Sequence, residues 1–139
     1  MPVTEKTITL VNKISQLEKL ADSLESVSKE WRLPDFVTLN LNLVLEELFS
    51  NIVFYGYEDE NEHEIRVLLS FENKVITLQV EDDAREFNPL LVAHPVIDGP
   101  IEEREIGGLG IHLVRRIMDE ITYEHQEGKN ILTLRKKIV

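Results

Sequence analysis

Glu47 and Asn51 stand four residues apart in the run LEELFSNIVFYGY (45–57). On a helix, that spacing places both side chains on one side. Leu48 and Ile52 directly follow them, so the pair borders an apolar stripe. A carboxylate there can accept a proton or orient a hydroxyl or water. A neutral carboxamide oxygen suits one position on Mg²⁺, whose other ligands are usually water and phosphate oxygens. A solvated polar pair has the same spacing, so the pair alone does not choose. Asp82 is the second candidate. Counting by twos from Ile76 through Leu78 and Val80 reaches Asp82 on the same strand face. A carboxylate at the end of an apolar face needs donors, and the exocyclic amine of adenine is one. A strand-end turn acid is the plain alternative. The third is Gly107-Gly108-Leu109-Gly110 ahead of a helical pattern. Glycines allow close backbone approach, and the first amides of a helix lack internal partners, so together they can cradle phosphate. No GKS or GKT follows and no strand directly precedes it, so it is neither a Walker A loop nor a Rossmann fingerprint.

The elements that must position these residues follow from periodicity. Residues 4–11 alternate, with Ile8 and Leu10 on one side, which predicts a strand. From Ile14 the period changes: Leu17, Leu20, Ala21, Leu24, Val27 and Trp31 predict an amphipathic helix. Pro34 ends it, and Asp35 is the expected N-cap of the next. Leu41, Val44, Leu45, Leu48, Phe49, Ile52 and Val53 give that second helix a wide apolar face, ending at Gly56 as C-cap. Ile65–Phe71 and Ile76–Val80 predict two strands joined by the short turn Glu72-Asn73-Lys74. Residues 83–106 read as an irregular loop containing Pro89, Pro95, Gly99 and Pro100. A helix with Leu113, Val114, Ile117 and Met118 inward follows, then strands from Ile121 and over Ile131–Ile138. The order β-α-α-β-β-(loop)-α-β-β predicts an α/β (α+β) two-layer sandwich: a mixed, mainly antiparallel sheet with helices on one face. One domain over residues 1–139 is expected.

Composition narrows the partners. Fifteen basic and 26 acidic residues give a formal charge of −11, which disfavours direct contact with nucleic acid. There is no cysteine, which removes disulfides, thiolate metal sites and cysteine nucleophiles. Apolar runs are short and broken by charge, so no membrane-spanning helix is expected, and MPVTEKTITL has no signal-peptide pattern. A cytoplasmic location is the expectation.

E-x-x-x-N on a helix, D-D-A after a strand and G-G-L-G opening a helix are together far more specific than any one. With VEDDAREFNP (80–89), IGGLGIHLVRRIMDEITYE (106–124) and GKNILTLRKK (128–137), the chain resembles the Bergerat-fold (GHKL) ATP-binding domains. Within them it is most similar to the free-standing anti-sigma factor serine/threonine-protein kinases. The resemblance implies ATP and Mg²⁺ as cofactors. It implies Glu47 as the catalytic carboxylate that activates the attacking hydroxyl, Asn51 as the Mg²⁺ ligand and Asp82 as the acceptor of the adenine amine. Ala84, Gly107, Gly108, Leu109 and Gly110 fall in the nucleotide-binding motifs, and Thr133 is the implied last-strand residue near adenine. The implied output is phosphorylation of an anti-anti-sigma-like partner, with sequestration of a sigma factor and formation of a homodimer. A membrane contact is not implied.

Two positions depart from the family pattern. Ala84 replaces the glycine of D-x-G, and Ile106 stands where some of these kinases have arginine, with Arg104 two residues earlier. Arg104 is within reach of a γ-phosphate in this reading. These departures leave a second reading open, a nucleotide-binding or partner-binding regulatory module without phosphoryl transfer. A detached histidine-phosphorylating domain is a third, disfavoured by the lack of a dimerisation-and-histidine segment. His63, His94, His112 and His125 have no metal-ligand spacing and read as bland. Arg115 and Arg116 read as surface residues, Phe54, Tyr55 and Tyr57 as core packing, and Phe87 and Pro89 as loop anchors.

Overall fold

A computed structural model describes residues 4–91 and 108–138. Strand β1 (Thr4–Val11) leads through a 3₁₀ turn (Ile14–Gln16) into helix α1 (Leu17–Trp31). Helix α2 (Asp35–Tyr55) follows, then strands β2 (Glu64–Glu72) and β3 (Val75–Asp82). Another 3₁₀ turn (Pro89–Leu91) precedes helix α3 (Gly108–Ile117) and strands β4 (Glu120–Gln126) and β5 (Lys129–Lys137). The five strands form one sheet in the order β1-β2-β3-β5-β4, and every neighbouring pair is antiparallel, not mixed.

Register puts the apolar phase of each strand on one face. Ile8 lies opposite Val67, Leu69 opposite Leu78, and Leu78 opposite Leu134. These side chains pack against Leu20, Leu24 and Trp31 of α1, Leu41, Leu45 and Phe49 of α2, and Ile111 and Val114 of α3. Trp31 stacks on Phe71 with ring centroids 5.9 Å apart. The other sheet face carries Arg66, Gln79, Glu81, Thr133 and Arg135, all partly exposed. Both hairpin turns use left-handed residues, Asn73 and Lys74 after β2 and Glu127 and Gly128 after β4. Two such residues in a row match the twist of the paired strands.

Several local expectations shift. Pro34, not Asp35, is the N-cap of α2, because its extended backbone (φ −60°, ψ 148°) leaves the helix to begin one residue later. Asp35 then lies in the first turn, where its charge suits the helix dipole. Gly56 ends α2 with a right-handed φ of −84°, so it is not there for a left-handed cap. A Cβ on it would meet the Ile52 carbonyl oxygen at 2.6 Å and the Ala84 Cβ at 2.7 Å. Close packing, not backbone freedom, requires the glycine. In α3, Ile111 is buried while Leu113 faces outward. Phe54 and Tyr55 are exposed, not packed in the core. By length and apolar composition α2 would suffice to cross a membrane, against the sequence expectation, but here Val37, Leu41, Val44, Leu45, Leu48 and Phe49 bury its inner face on the sheet.

Candidate functional site

Helix α2 carries the first part of the site. The Asn51 amide donates to Glu47 Oε1 at 3.1 Å, as i, i+4 stacking predicts. With its amide nitrogen turned to Glu47, the Asn51 carbonyl oxygen has no hydrogen bond among the described residues. That oxygen fits one position on a hard cation such as Mg²⁺. The Glu47 carboxylate lies against the first turn of α3. A Cβ on Gly110 would fall 1.8 Å from Glu47 Oε1 and 1.9 Å from its Cδ. Glycine at 110 therefore makes the room in which the carboxylate rests. Gly108, Leu109 and Gly110 open α3, so their amides are among those a helix cannot satisfy internally. A carboxylate, a carboxamide oxygen and helix-start amides converge here, an arrangement suited to a phosphate–metal pair and a proton acceptor.

The other end of α2 meets the turn after β3. Arg85 N–H donates to the Gly56 carbonyl at 3.0 Å, and the Ala84 methyl fills the space beside Gly56. Ala84 does not have a positive φ, so this turn does not need the family's glycine. Asp82 is buried at the end of β3. Its Oδ1 accepts from Ala84 N–H at 3.0 Å and from the Asn130 amide at 2.9 Å. No hydrogen bond reaches its Oδ2 from the described residues, so that oxygen can take an amine. Burial pushes the Asp82 carboxyl above the usual carboxylate range, against the lowering effect of those two donors. Asn51 lies five residues before Gly56 and Glu47 lies nine before it, so α2 separates the two ends by about 8 to 14 Å. An extended nucleotide spans such a distance.

Asn130 is the residue that sequence reasoning missed. It sits opposite Asp82 in the β3–β5 register. Its amide also donates to the carbonyls of Ala84 at 3.2 Å and Arg85 at 3.0 Å. Its oxygen accepts from Phe87 N–H at 3.3 Å and from the Tyr123 hydroxyl. One buried side chain thus fixes the whole turn from Asp82 to Phe87. Thr133, by contrast, pairs with Gln79 and Thr122 on the sheet face away from the helices. It is one residue out of phase with Leu132 and Leu134 and does not meet Asp82. Arg104 and Gly107 lie outside the described residues, as does most of the 83–106 loop. Pro89 is buried as an anchor, while the Phe87 ring is exposed and only its backbone is held. Arg115 is not a plain surface charge: it donates to the carbonyls of Pro89, at 3.1 Å, and Leu90. His63 is not bland either, since it stacks on Tyr57 and bonds to Asp59 and Asp83.

The sequence pattern of the histidine kinase-like ATPase domain matches residues 10–136. The serine/threonine-protein kinase BtrW of Bordetella bronchiseptica is 24% identical over 111 residues, covering 80% of this chain and 78% of BtrW. The serine-protein kinase RsbW of Bacillus mycoides is 28% identical over 97 residues, covering 67% of this chain and 60% of RsbW. The chain thus spans somewhat less than two thirds of that RsbW. Among solved structures, the RsbU and RsbW domains of a Mycobacterium tuberculosis protein match with a TM-score of 0.71 at 16% identity, covering 98% of this chain and 33% of that one. The histidine kinase domain of a blue-light activated kinase from Erythrobacter litoralis matches with a TM-score of 0.54 at 12% identity, covering 89% of this chain and 60% of that one. The two structural likenesses show that this chain shares its fold with part of each of those proteins.

Proposed function

This chain belongs to the histidine kinase-like ATPase domain family, and from that premise we propose that it binds Mg-ATP and phosphorylates a protein on serine or threonine. The observation that carries the reading is the Glu47 carboxylate seated against Gly110 with the Asn51 amide beside it. Phosphoryl transfer needs positioning and charge stabilisation more than covalent chemistry from the protein. Asp82 Oδ2 takes the adenine amine, with Asn130 and Ala84 holding the carboxylate still. The first amides of α3 hold phosphate oxygens, and the Asn51 carbonyl oxygen holds the metal. Bound Mg²⁺ supplies neutralisation of phosphate charge. Glu47 orients the attacking hydroxyl and receives its proton as the oxygen–γ-phosphorus bond forms and the bond to ADP breaks.

The protein substrate is an anti-anti-sigma-like antagonist, and the regulatory output is sequestration of a sigma factor. Support comes from the resemblance of the three motifs and from the kinase names of BtrW and RsbW. The outward face of α2 adds to it. Phe36, Leu39 and Phe54 are each 60% exposed there, and Leu43 is 39% exposed. A helix apolar on the side away from its core is suited to a protein contact. The test is transfer of labelled phosphate from Mg-ATP to a candidate antagonist. The wild type should label a serine or threonine, and Glu47→Ala should bind Mg-ATP while losing transfer. Transfer at the wild-type rate by Glu47→Ala would remove its role as base.

A further inference from the structure

Four side chains from two loops meet beside Asp82 in an arrangement that nucleotide binding does not by itself require. Tyr57 and Asp59 come from the loop after α2, His63 precedes β2, and Asp83 follows β3. The His63 backbone is held from the β1 side, donating to Asn12 Oδ1 at 2.8 Å and accepting from Asn12 N–H at 3.0 Å. Its ring lies on Tyr57 with centroids 4.1 Å apart and planes 15° from parallel. Nδ1 is 3.1 Å from Asp83 Oδ2, and Nε2 is 2.8 Å from Asp59 Oδ1. The Tyr57 hydroxyl donates to the other Asp83 oxygen at 2.9 Å.

A carboxylate accepts and does not donate. Only the imidazolium, with a proton on each nitrogen, can bond to both. A neutral ring leaves one lone pair pointing at a carboxylate oxygen. The ring is 18% exposed, so solvent does not fully screen that repulsion. The charged groups around it are Asp59 and Asp83 in contact, Asp82 one residue further, and the Lys13–Glu62 pair at 3.7 Å beside Asn12 and His63. The two contacting carboxylates raise the His63 ring above its ordinary value; the ring in turn lowers Asp59, and against the raising effect of desolvation the ring and the Tyr57 hydroxyl together lower Asp83.

Asp83 joins this cluster to the nucleotide end of the site. The turn is held on one side by Asn130, through Asp82, Ala84 and Arg85. On the other side it is held by Tyr57 and His63, through Asp83. We propose that Tyr57, His63 and Asp83 are positioning residues for nucleotide binding, forming a clamp on the Asp82 turn that is complete only while His63 is protonated. Affinity for adenine nucleotides then falls as pH rises through the His63 titration. This rests on the ATP-binding reading above.

The test is calorimetric titration of Mg-ATP across about pH 6 to 8.5 into wild type, His63→Gln and Asp83→Asn. Ionisation of the nucleotide is common to all three, so the difference between proteins isolates the clamp. Loss of one charge-assisted bond in this partly exposed setting predicts about a three- to tenfold weakening for the wild type as pH rises. His63→Gln should lack that added slope and bind throughout as the wild type does at high pH. NMR of the His63 ring supplies the second readout: its titration should lie above that of an ordinary histidine and move back down in Asp83→Asn. Equal pH slopes in wild type and His63→Gln overturn the clamp, as does a ring titration unmoved by Asp83→Asn. Failure of the folded wild type to bind at any pH overturns the ATP-binding reading, and the clamp's role in binding with it.

Discussion

Gly110→Ala should slow phosphoryl transfer strongly while leaving the fold intact. The added methyl would sit 1.8 Å from Glu47 Oε1, where real contacts do not come under 3.0 Å, so the carboxylate must retreat by at least about 1.2 Å. The obstructing atoms belong to the end of a long side chain, which can swing, so the helix need not move. Gly110 has no positive φ, so alanine fits its backbone. Its helix propensity is better by up to about 1 kcal/mol in a helix interior, and by less in this first turn. A displacement of about 1 Å in a reacting group can lower a rate by about 10²-fold. The assay is single-turnover release of phosphate from ATP or its transfer to an antagonist, beside a thermal melt. Transfer should fall about 10²-fold with an equal or higher Tm. In a Glu47→Ala background the same substitution should add little further loss, since its effect runs through that carboxylate. Equal losses in both backgrounds would refute the coupling and leave Gly110 acting on phosphate alone.

Asn130→Ala should destabilise the protein by about 2–4 kcal/mol in urea unfolding, because it strips partners from Asp82, the Ala84 and Arg85 carbonyls and Phe87 N–H together. Gly56→Ala should cost about 1–3 kcal/mol, since its methyl meets the Ile52 carbonyl oxygen at 2.6 Å in the backbone, which cannot swing aside. Thr133→Val should leave Mg-ATP affinity unchanged in calorimetry, as the residue lies on the far face of the sheet. Stability should also follow His63. Its titration is raised in the folded state, so its contribution is full below the ordinary value of 6.5 and is lost as pH rises through the folded value. Urea midpoints should therefore fall with rising pH more in the wild type than in His63→Gln.

The strands and helices were legible because each keeps one period long enough to count. Ile76, Leu78 and Val80 led to Asp82 by twos, and the structure buries it on that face. The same count backward from Leu134 through Leu132 lands on Asn130, directly opposite Asp82. That signal is present in the sequence, and Thr133 is out of phase with it. Glu47 and Asn51 were legible as a pair because helix geometry alone brings them together. The seat of Glu47 on Gly110 was not, since it depends on how α2 and α3 pack across 63 residues of chain. His63 was invisible for a similar reason. It lies in an acidic loop without period, and its partner Asp83 is twenty residues away and reached only through the β2–β3 hairpin. Gly56 caps α2 as the sequence predicts, but the role of its missing Cβ, which admits Ala84, shows only in the packing.

The most direct measurement is calorimetric titration of Mg-ATP into the wild type and Asn51→Ala at one pH near 6.5. The nucleotide cradle predicts saturable binding by the wild type and at least about tenfold weaker binding by Asn51→Ala, from loss of a metal ligand. Absence of binding by the folded wild type, or equal affinity in both, would contradict it.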